Sequence, residues 1–165
     1  MVVQFWQASM NSVNNLLPTI EKDYKHLNFK SGEIFLWSPK TKTITYTTHQ
    51  TNARHGVWAL VHELAHAELD HNQYKSDFDL LKLESEAWKH AKIIAKRYQI
   101  NIDNDHIQDC LDTYRDWLHR RSTCPNCSVV SLQRSDRIYQ CFNCSTTWKV
   151  PTSPLCRVTR RIVSV

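Results

Sequence analysis

The chain has 165 residues, of which 41% are hydrophobic and 22% charged, the usage of a globular protein with one ordinary domain and a small addition. It holds only two glycines, Gly32 and Gly56, where average usage of about 7% would supply roughly a dozen. Phosphate-binding loops of the Walker and Rossmann types need several glycines close together. Nucleotide-driven chemistry is therefore not expected.

The net charge of +5 is unevenly distributed. Residues 120–165 carry eight basic side chains against one acidic side chain, a net charge of +7, which leaves −2 for the rest of the chain. The basic residues are Arg120, Arg121, Arg134, Arg137, Lys149, Arg157, Arg160 and Arg161, and the acidic residue is Asp136. This asymmetry indicates either a region that binds an anion such as nucleic acid or a solubilising tail.

The cysteine content and the absence of export features bear on the compartment. No apolar run approaches the roughly 18 residues of a membrane span. The first basic residue is Lys22, so the chain does not begin like a signal peptide. We predict a cytoplasmic protein with no membrane partner, whose six cysteines serve as metal ligands or free thiols rather than as disulfides.

Hydrophobic periodicity predicts the following elements in chain order. A helix over residues 8–27, interrupted at Pro18, precedes a β-hairpin formed by residues 33–37 and 43–48. Three helices follow at about 52–71, 78–98 and 105–120, and short β-like segments follow residue 122. The predicted fold class is therefore α+β, with a small antiparallel sheet plus helices and a small β appendage.

Residues 62–66 read His-Glu-Leu-Ala-His within a predicted helix. Positions i and i+4 share one face of a helix, so His62 and His66 can bind one metal ion. Glu63 is then placed to act as the general base towards the attacking water. The pattern predicts a catalytic zinc site.

Catalytic zinc needs a third protein ligand, and the next helix offers Glu84 and Glu86. Residues two positions apart are separated by about 200° around the helix axis, so only one of these glutamates can face the metal. Here the chain resembles the gluzincin metallopeptidases, in which a Glu followed by Ala on a later helix completes the site. It is most similar to ImmA/IrrE-type peptidase domains, where HExxH is followed by E-x-E-A, here Glu84-Ser85-Glu86-Ala87. The resemblance spans about residues 30–100 and implies Glu86 as the third ligand.

The cysteines form two CxxC pairs that are separated by thirteen residues, Cys124 with Cys127 and Cys141 with Cys144. Four thiolates at this spacing complete a closed tetrahedral site, which predicts a structural zinc ion in a β zinc ribbon; a redox CxxC is the alternative. Four thiolates around Zn²⁺ carry −2, which lowers the excess charge of this region to about +5. We predict a zincin-like metallopeptidase domain over residues 1–120, the ribbon over 121–150 and a basic tail over 151–165.

A ribbon after an HExxH domain also resembles the SprT-like proteases, which act near DNA. Their third ligand is a His in an H-G-x-x-[FW] context, whereas here His71 is followed by Asn72. The Glu-ligand family is therefore preferred, and His71 stays the alternative third ligand.

These patterns predict a zinc-dependent peptidase that carries one catalytic and one structural zinc ion. The strand at residues 43–48 is expected to pair with an extended substrate. The ImmA/IrrE resemblance implies that the substrate is a regulatory protein such as a DNA-bound repressor, with the basic ribbon docking substrate or nucleic acid. The alternatives are a SprT-like DNA-associated protease and a non-catalytic zinc-ribbon protein that binds nucleic acid.

Overall fold

The computed structural model describes residues 12–48, 53–152 and 157–163. In this part of the chain there are four helices, α1 (Val13–Asp23), α2 (Ala53–Glu68), α3 (Asp77–Arg97) and α4 (Asn104–Ser122). The strands are β1 (Asn28–Ser31), β2 (Leu36–Ser38), β3 (Thr43–Tyr46), β4 (Gln133–Ser135), β5 (Ile138–Gln140), β6 (Thr147–Lys149) and β7 (Arg161–Ile162). The mixed α+β class is confirmed.

The predicted helices correspond to single elements with slightly different ends. Helix α1 runs through Pro18, and the side chain of Ser12 caps its first turn by accepting a hydrogen bond from the Asn15 amide. Residues 8–11, the predicted start of this helix, lie outside the described residues. None of the described helices is both long enough and apolar enough to cross a membrane.

The first sheet has the order β1-β3-β2 and is mixed rather than antiparallel. β2 and β3 form the expected hairpin, while β1 pairs with β3 in parallel. The hairpin occupies one edge of β3, so β1 takes the other edge. Gly32 directly follows β1 and lies close to Thr45, whose methyl group is only 2.5 Å from where a Cβ on Gly32 would stand. This close approach requires glycine.

The second sheet is fully antiparallel and has the order β4-β5-β6-β7. Its last strand falls within residues 151–165, which we expected to form a tail outside the ribbon. β7 instead pairs with β6 through Trp148 opposite Ile162 and Lys149 opposite Arg161. Part of the basic C-terminal region is therefore a strand of the ribbon sheet.

The chain divides into two compact units. The first comprises Met1–Asn72 and Ser85–Asn104, and the second comprises Gln73–Glu84 and Asp105–Val165. Helix α4 and the first turns of α3 thus group with the ribbon, whereas the sequence suggested a boundary at residue 120. The division falls inside helix α3, which is continuous through it.

In the first unit, the end of α2 is held by a polar cluster around Glu68. Its carboxylate accepts hydrogen bonds from the Tyr24 hydroxyl at 2.5 Å and the Arg97 guanidinium at 2.7 Å, and it lies 2.5 Å from Nε2 of His90. Burial alone would raise the pKa of Glu68, but the hydrogen bonds from Tyr24, His90 and Arg97 outweigh burial and lower it. The cluster therefore ties α1 and α3 to the last residue of α2.

In the second unit, a buried ion pair joins the first residue of α3 to the end of α4. Asp77 and Arg121 are 3% and 1% exposed, and the guanidinium contacts both carboxylate oxygens, at 2.5 and 3.0 Å. The Tyr139 hydroxyl donates to the same carboxylate at 2.6 Å. Strand β5, helix α3 and helix α4 therefore meet at one buried carboxylate.

We expect Asp77→Asn to destabilise the second unit by about 3–5 kcal/mol, because it leaves the Arg121 guanidinium buried without its counter-charge. The matched control is Asp112→Asn, which breaks an exposed pair with Arg115 and should cost at most about 1 kcal/mol. Denaturant unfolding of the metal-loaded variants, followed by circular dichroism, compares the two. Equal losses would show that the buried pair does not stabilise the unit.

Candidate metal centres

Helix α2 brings the two motif histidines together. His62 and His66 lie one helical turn apart, and their Nε2 atoms are 3.1 Å from each other. His62 is 8% exposed, so its ring is held inside the first unit. One ligand atom from each of His62, His66 and Glu84 lies within 4.8 Å of the other two. Two imidazole nitrogens and a carboxylate oxygen are the donor set of many catalytic zinc sites, so these residues fit such an ion.

The carboxylate in this group belongs to Glu84 and not to Glu86, which the family resemblance had indicated. Glu84 is 7% exposed, whereas the side chain of Glu86 is 43% exposed. The carboxylate of Glu86 lies 3.8 Å from Nε2 of His71. The two glutamates diverge because residues two apart on a helix are separated by about 200°.

The rotation of helix α3 about its axis explains why Glu84, and not Glu86, lies with the two histidines. Its buried positions recur every three or four residues as Leu80, Glu84, Ala87, Ala91 and Ile94. Glu84 therefore occupies a core position, and a buried carboxylate in an apolar row requires a partner. This row was a signal in the sequence that could have identified Glu84. Glu84 and Ser85 are consecutive residues of the continuous helix α3.

Two residues outside the ligand group hold the histidine rings. The Trp88 ring stacks on His62 with the ring centres 4.2 Å apart and the planes inclined by 27°. Nδ1 of His71 lies 2.9 Å from Nδ1 of His66, on the ring nitrogen that does not face His62. His71 therefore contacts the His66 ring on the side away from His62 and is not a member of the ligand group. His71 and Trp88 fix the orientation of the two histidine rings. The HExxH pattern alone did not indicate Trp88.

We expect His71→Ala to lower metal affinity at the histidine site by about 10–100-fold, the usual cost of losing a partner that orients a ligand. Competition with a chromophoric chelator measures this change. His119→Ala removes an exposed histidine from α4 and should leave the affinity unchanged. A His71→Ala protein whose site was empty would instead identify His71 as the third ligand, as in a SprT-like site.

Glu63, the candidate base, lies at the edge of the first sheet. Its carboxylate accepts a hydrogen bond of 2.6 Å from the backbone N–H of Trp37 in β2. The Trp37 indole donates to the carbonyl oxygen of His71 at 3.0 Å. The N–H of Trp37 thus points to the side of β2 that is not paired with β3. β3 itself is flanked by β1 and β2, so the strand expected to receive a substrate has no open edge, and β2 is the strand beside Glu63.

The four ribbon cysteines also converge, with one sulfur from each within 4.8 Å of the others. The Sγ atoms of Cys124 and Cys144 are 3.6 Å apart, and those of Cys127 and Cys141 are 3.4 Å apart. Hydrogen bonds from the side chain and backbone of Thr146 lower the pKa of Cys144 to about 5. The thiolate of Cys144, the form that binds metal, is therefore favoured at neutral pH.

The two CxxC turns share one backbone geometry. Ser128 and Ser145, the residues after each pair, have φ of 60° and donate their N–H to the carbonyl oxygens of Cys124 and Cys141 at 3.0 Å. The amides of Cys124 and Cys141 in turn donate at 2.9 Å to residues 129 and 146. Two equivalent turns thus present two pairs of sulfurs, and the four-cysteine group fits a closed structural site.

Comparison with known proteins identifies no family, so the class of this protein rests on its fold and on its candidate sites. The chain matches no protein-family profile, no curated protein and no solved structure at a significant level. The fold and the side-chain geometry define an α+β protein with two groups arranged as metal ligands, one of two histidines and a glutamate and one of four cysteines.

Proposed function

We propose that the chain is a zinc-dependent peptidase of the zincin-like, ImmA/IrrE type. The observation that carries the proposal is the His62, His66 and Glu84 group on two helices, with Glu63 on the same helix as the histidines and at a strand edge. Three protein ligands leave a coordination position for water or substrate, as catalytic zinc sites require.

The side chains divide the chemistry between them. His62, His66 and Glu84 would hold the zinc ion, which when bound supplies a Lewis acid for the scissile carbonyl and lowers the pKa of water. Glu63 takes a proton from the attacking water and returns it to the leaving amine. The hydrogen bond from the Trp37 amide holds the Glu63 carboxylate at the site.

The edge of β2 is the proposed position of the substrate backbone. An extended peptide can lie along a strand edge and form main-chain hydrogen bonds with it. At β2 these would use main-chain groups other than the Trp37 N–H, which donates to Glu63. Ile34 and Leu36, before and within β2, are 56% and 50% exposed and would contact apolar side chains of that peptide. The substrate class is therefore an extended protein segment, and the resemblance favours a DNA-associated regulator.

The four-cysteine group would bind a second zinc ion with a structural role. A site closed by four thiolates has no position for substrate, so its zinc stabilises the ribbon. Because unfolded chains rarely preform such a site, the binding free energy contributes to the folding of this unit.

The metal content of the purified protein tests the proposal. We expect two zinc ions per chain in the wild type, one in His62→Ala and one in Cys124→Ser, because each substitution removes a ligand from a different group. Cys124→Ser should also loosen residues 122–150 and leave the helix that carries His62 folded. One zinc ion in the wild type and no change on His62→Ala would favour the non-catalytic ribbon protein.

A further inference from the structure

The second sheet has one buried face and one outer face. Tyr139 of β5 and Trp148 of β6 are directly opposite one another, 1% and 0% exposed, with ring centres 5.6 Å apart. Successive side chains of a strand alternate between the two faces. On β5, β6 and β7 the neighbouring positions are Ile138, Gln140, Thr147, Lys149 and Arg161, of which Thr147 is buried. Arg134 lies where the β4–β5 register is irregular, and its hydrogen bond to the Gln140 side chain places it with these residues, on what we call the outer face.

Three of these side chains are cationic and exposed, namely Arg134, Lys149 and Arg161. Lys149 and Arg161 are directly opposite each other on β6 and β7. Like charges in that position destabilise a sheet, so the fold gains nothing from this pair by itself. Arg134 is oriented by a hydrogen bond of 2.8 Å to the Gln140 side chain.

Among the residues of the second unit that the structure describes, none of the three cations forms an ion pair. Asp136, the acidic residue of the β4–β5 turn, pairs with Arg137 at 3.0 Å. The row of cations is thus open to an external anion.

We propose that the outer face of the ribbon sheet binds the phosphate backbone of nucleic acid. Four strands at about 4.8 Å spacing place the three cations along roughly 14 Å, and duplex DNA carries one charge per about 1.7 Å of its axis. The face therefore meets several phosphates at once. Contacts to phosphate oxygens position a protein on nucleic acid and carry no sequence information, so this binding is expected to be independent of sequence. This binding does not depend on the proposed peptidase activity.

The test uses the full-length, zinc-loaded protein and a fluorescent 16-base-pair duplex of arbitrary sequence, with binding followed by anisotropy between 50 and 200 mM salt. Three phosphate contacts give a slope of log K against log salt of about −2.7, which is an affinity loss of about 40-fold over this range. The double variant Lys149→Gln, Arg161→Gln should reduce the slope to about −0.9. Lys25→Gln, which removes one exposed charge from the first unit, should leave the slope unchanged.

Thermal unfolding shows whether weaker binding by the double variant results from lost contacts to the duplex or from loss of the folded structure. The double variant relieves the repulsion between Lys149 and Arg161, so its melting temperature should equal or exceed that of the wild type. Weaker binding by a protein of undiminished stability supports the proposal.

Three results would overturn it. The first is a double variant that binds the duplex with the affinity and slope of the wild type. The second is no binding to the duplex at 50 mM salt. The third is displacement of the duplex by poly-glutamate at equal charge concentration, which would assign the face to acidic protein segments.

Discussion

Glu63→Gln is expected to keep both zinc ions and to lose peptide hydrolysis by about 10²–10⁴-fold, the usual contribution of a general base. The glutamine side chain has nearly the shape of the glutamate side chain. Its carbonyl oxygen can still accept the hydrogen bond from the backbone N–H of Trp37. The glutamine side chain cannot take a proton from water, so zinc binding should survive while peptide hydrolysis fails.

The measurement is hydrolysis of an unstructured protein such as casein, followed by mass spectrometry, with metal content determined on the same samples. Glu33→Gln, which changes an exposed carboxylate of the same unit, is the control and should retain activity. If Glu63→Gln lost zinc, Glu63 would be a ligand. If it kept full activity, Glu63 would not be the base.

Glu84→Ala should lower zinc affinity at the histidine site by more than about 100-fold, beyond the effect of losing an orienting partner. Two histidines would remain where catalytic zinc normally has three protein ligands. Glu86→Ala changes the same residue type on the same helix and should lower affinity by less than about 10-fold, since its carboxylate lies beside His71 and outside the group of His62, His66 and Glu84.

Zinc titration against a chelator compares these two variants directly. Cobalt(II) substitution adds a spectroscopic measurement, because the visible spectrum changes when a carboxylate ligand is lost and is retained when an outer residue is lost. An empty site in Glu86→Ala together with an unchanged site in Glu84→Ala would restore Glu86 as the ligand.

The sequence by itself determined the local parts of this protein. The spacing of His62 and His66 places both on one helix face, because one turn of an α-helix returns after about four residues. The spacing of the CxxC pairs likewise predicted a four-cysteine group, which the structure contains. These features depend on a few neighbouring residues, and their geometry follows from the backbone of a helix or a tight turn.

The tertiary structure alone decided which distant groups meet. The choice between Glu84 and Glu86 depends on how helix α3 is rotated against helix α2, and the buried row of apolar residues sets that rotation. The pairing of β1 with β3 and of β7 with β6 depends on which strand edges the rest of the chain leaves open. The contact of Trp37 with Glu63 joins residues 26 positions apart. Each of these is a property of packing between elements, which no local sequence pattern specifies.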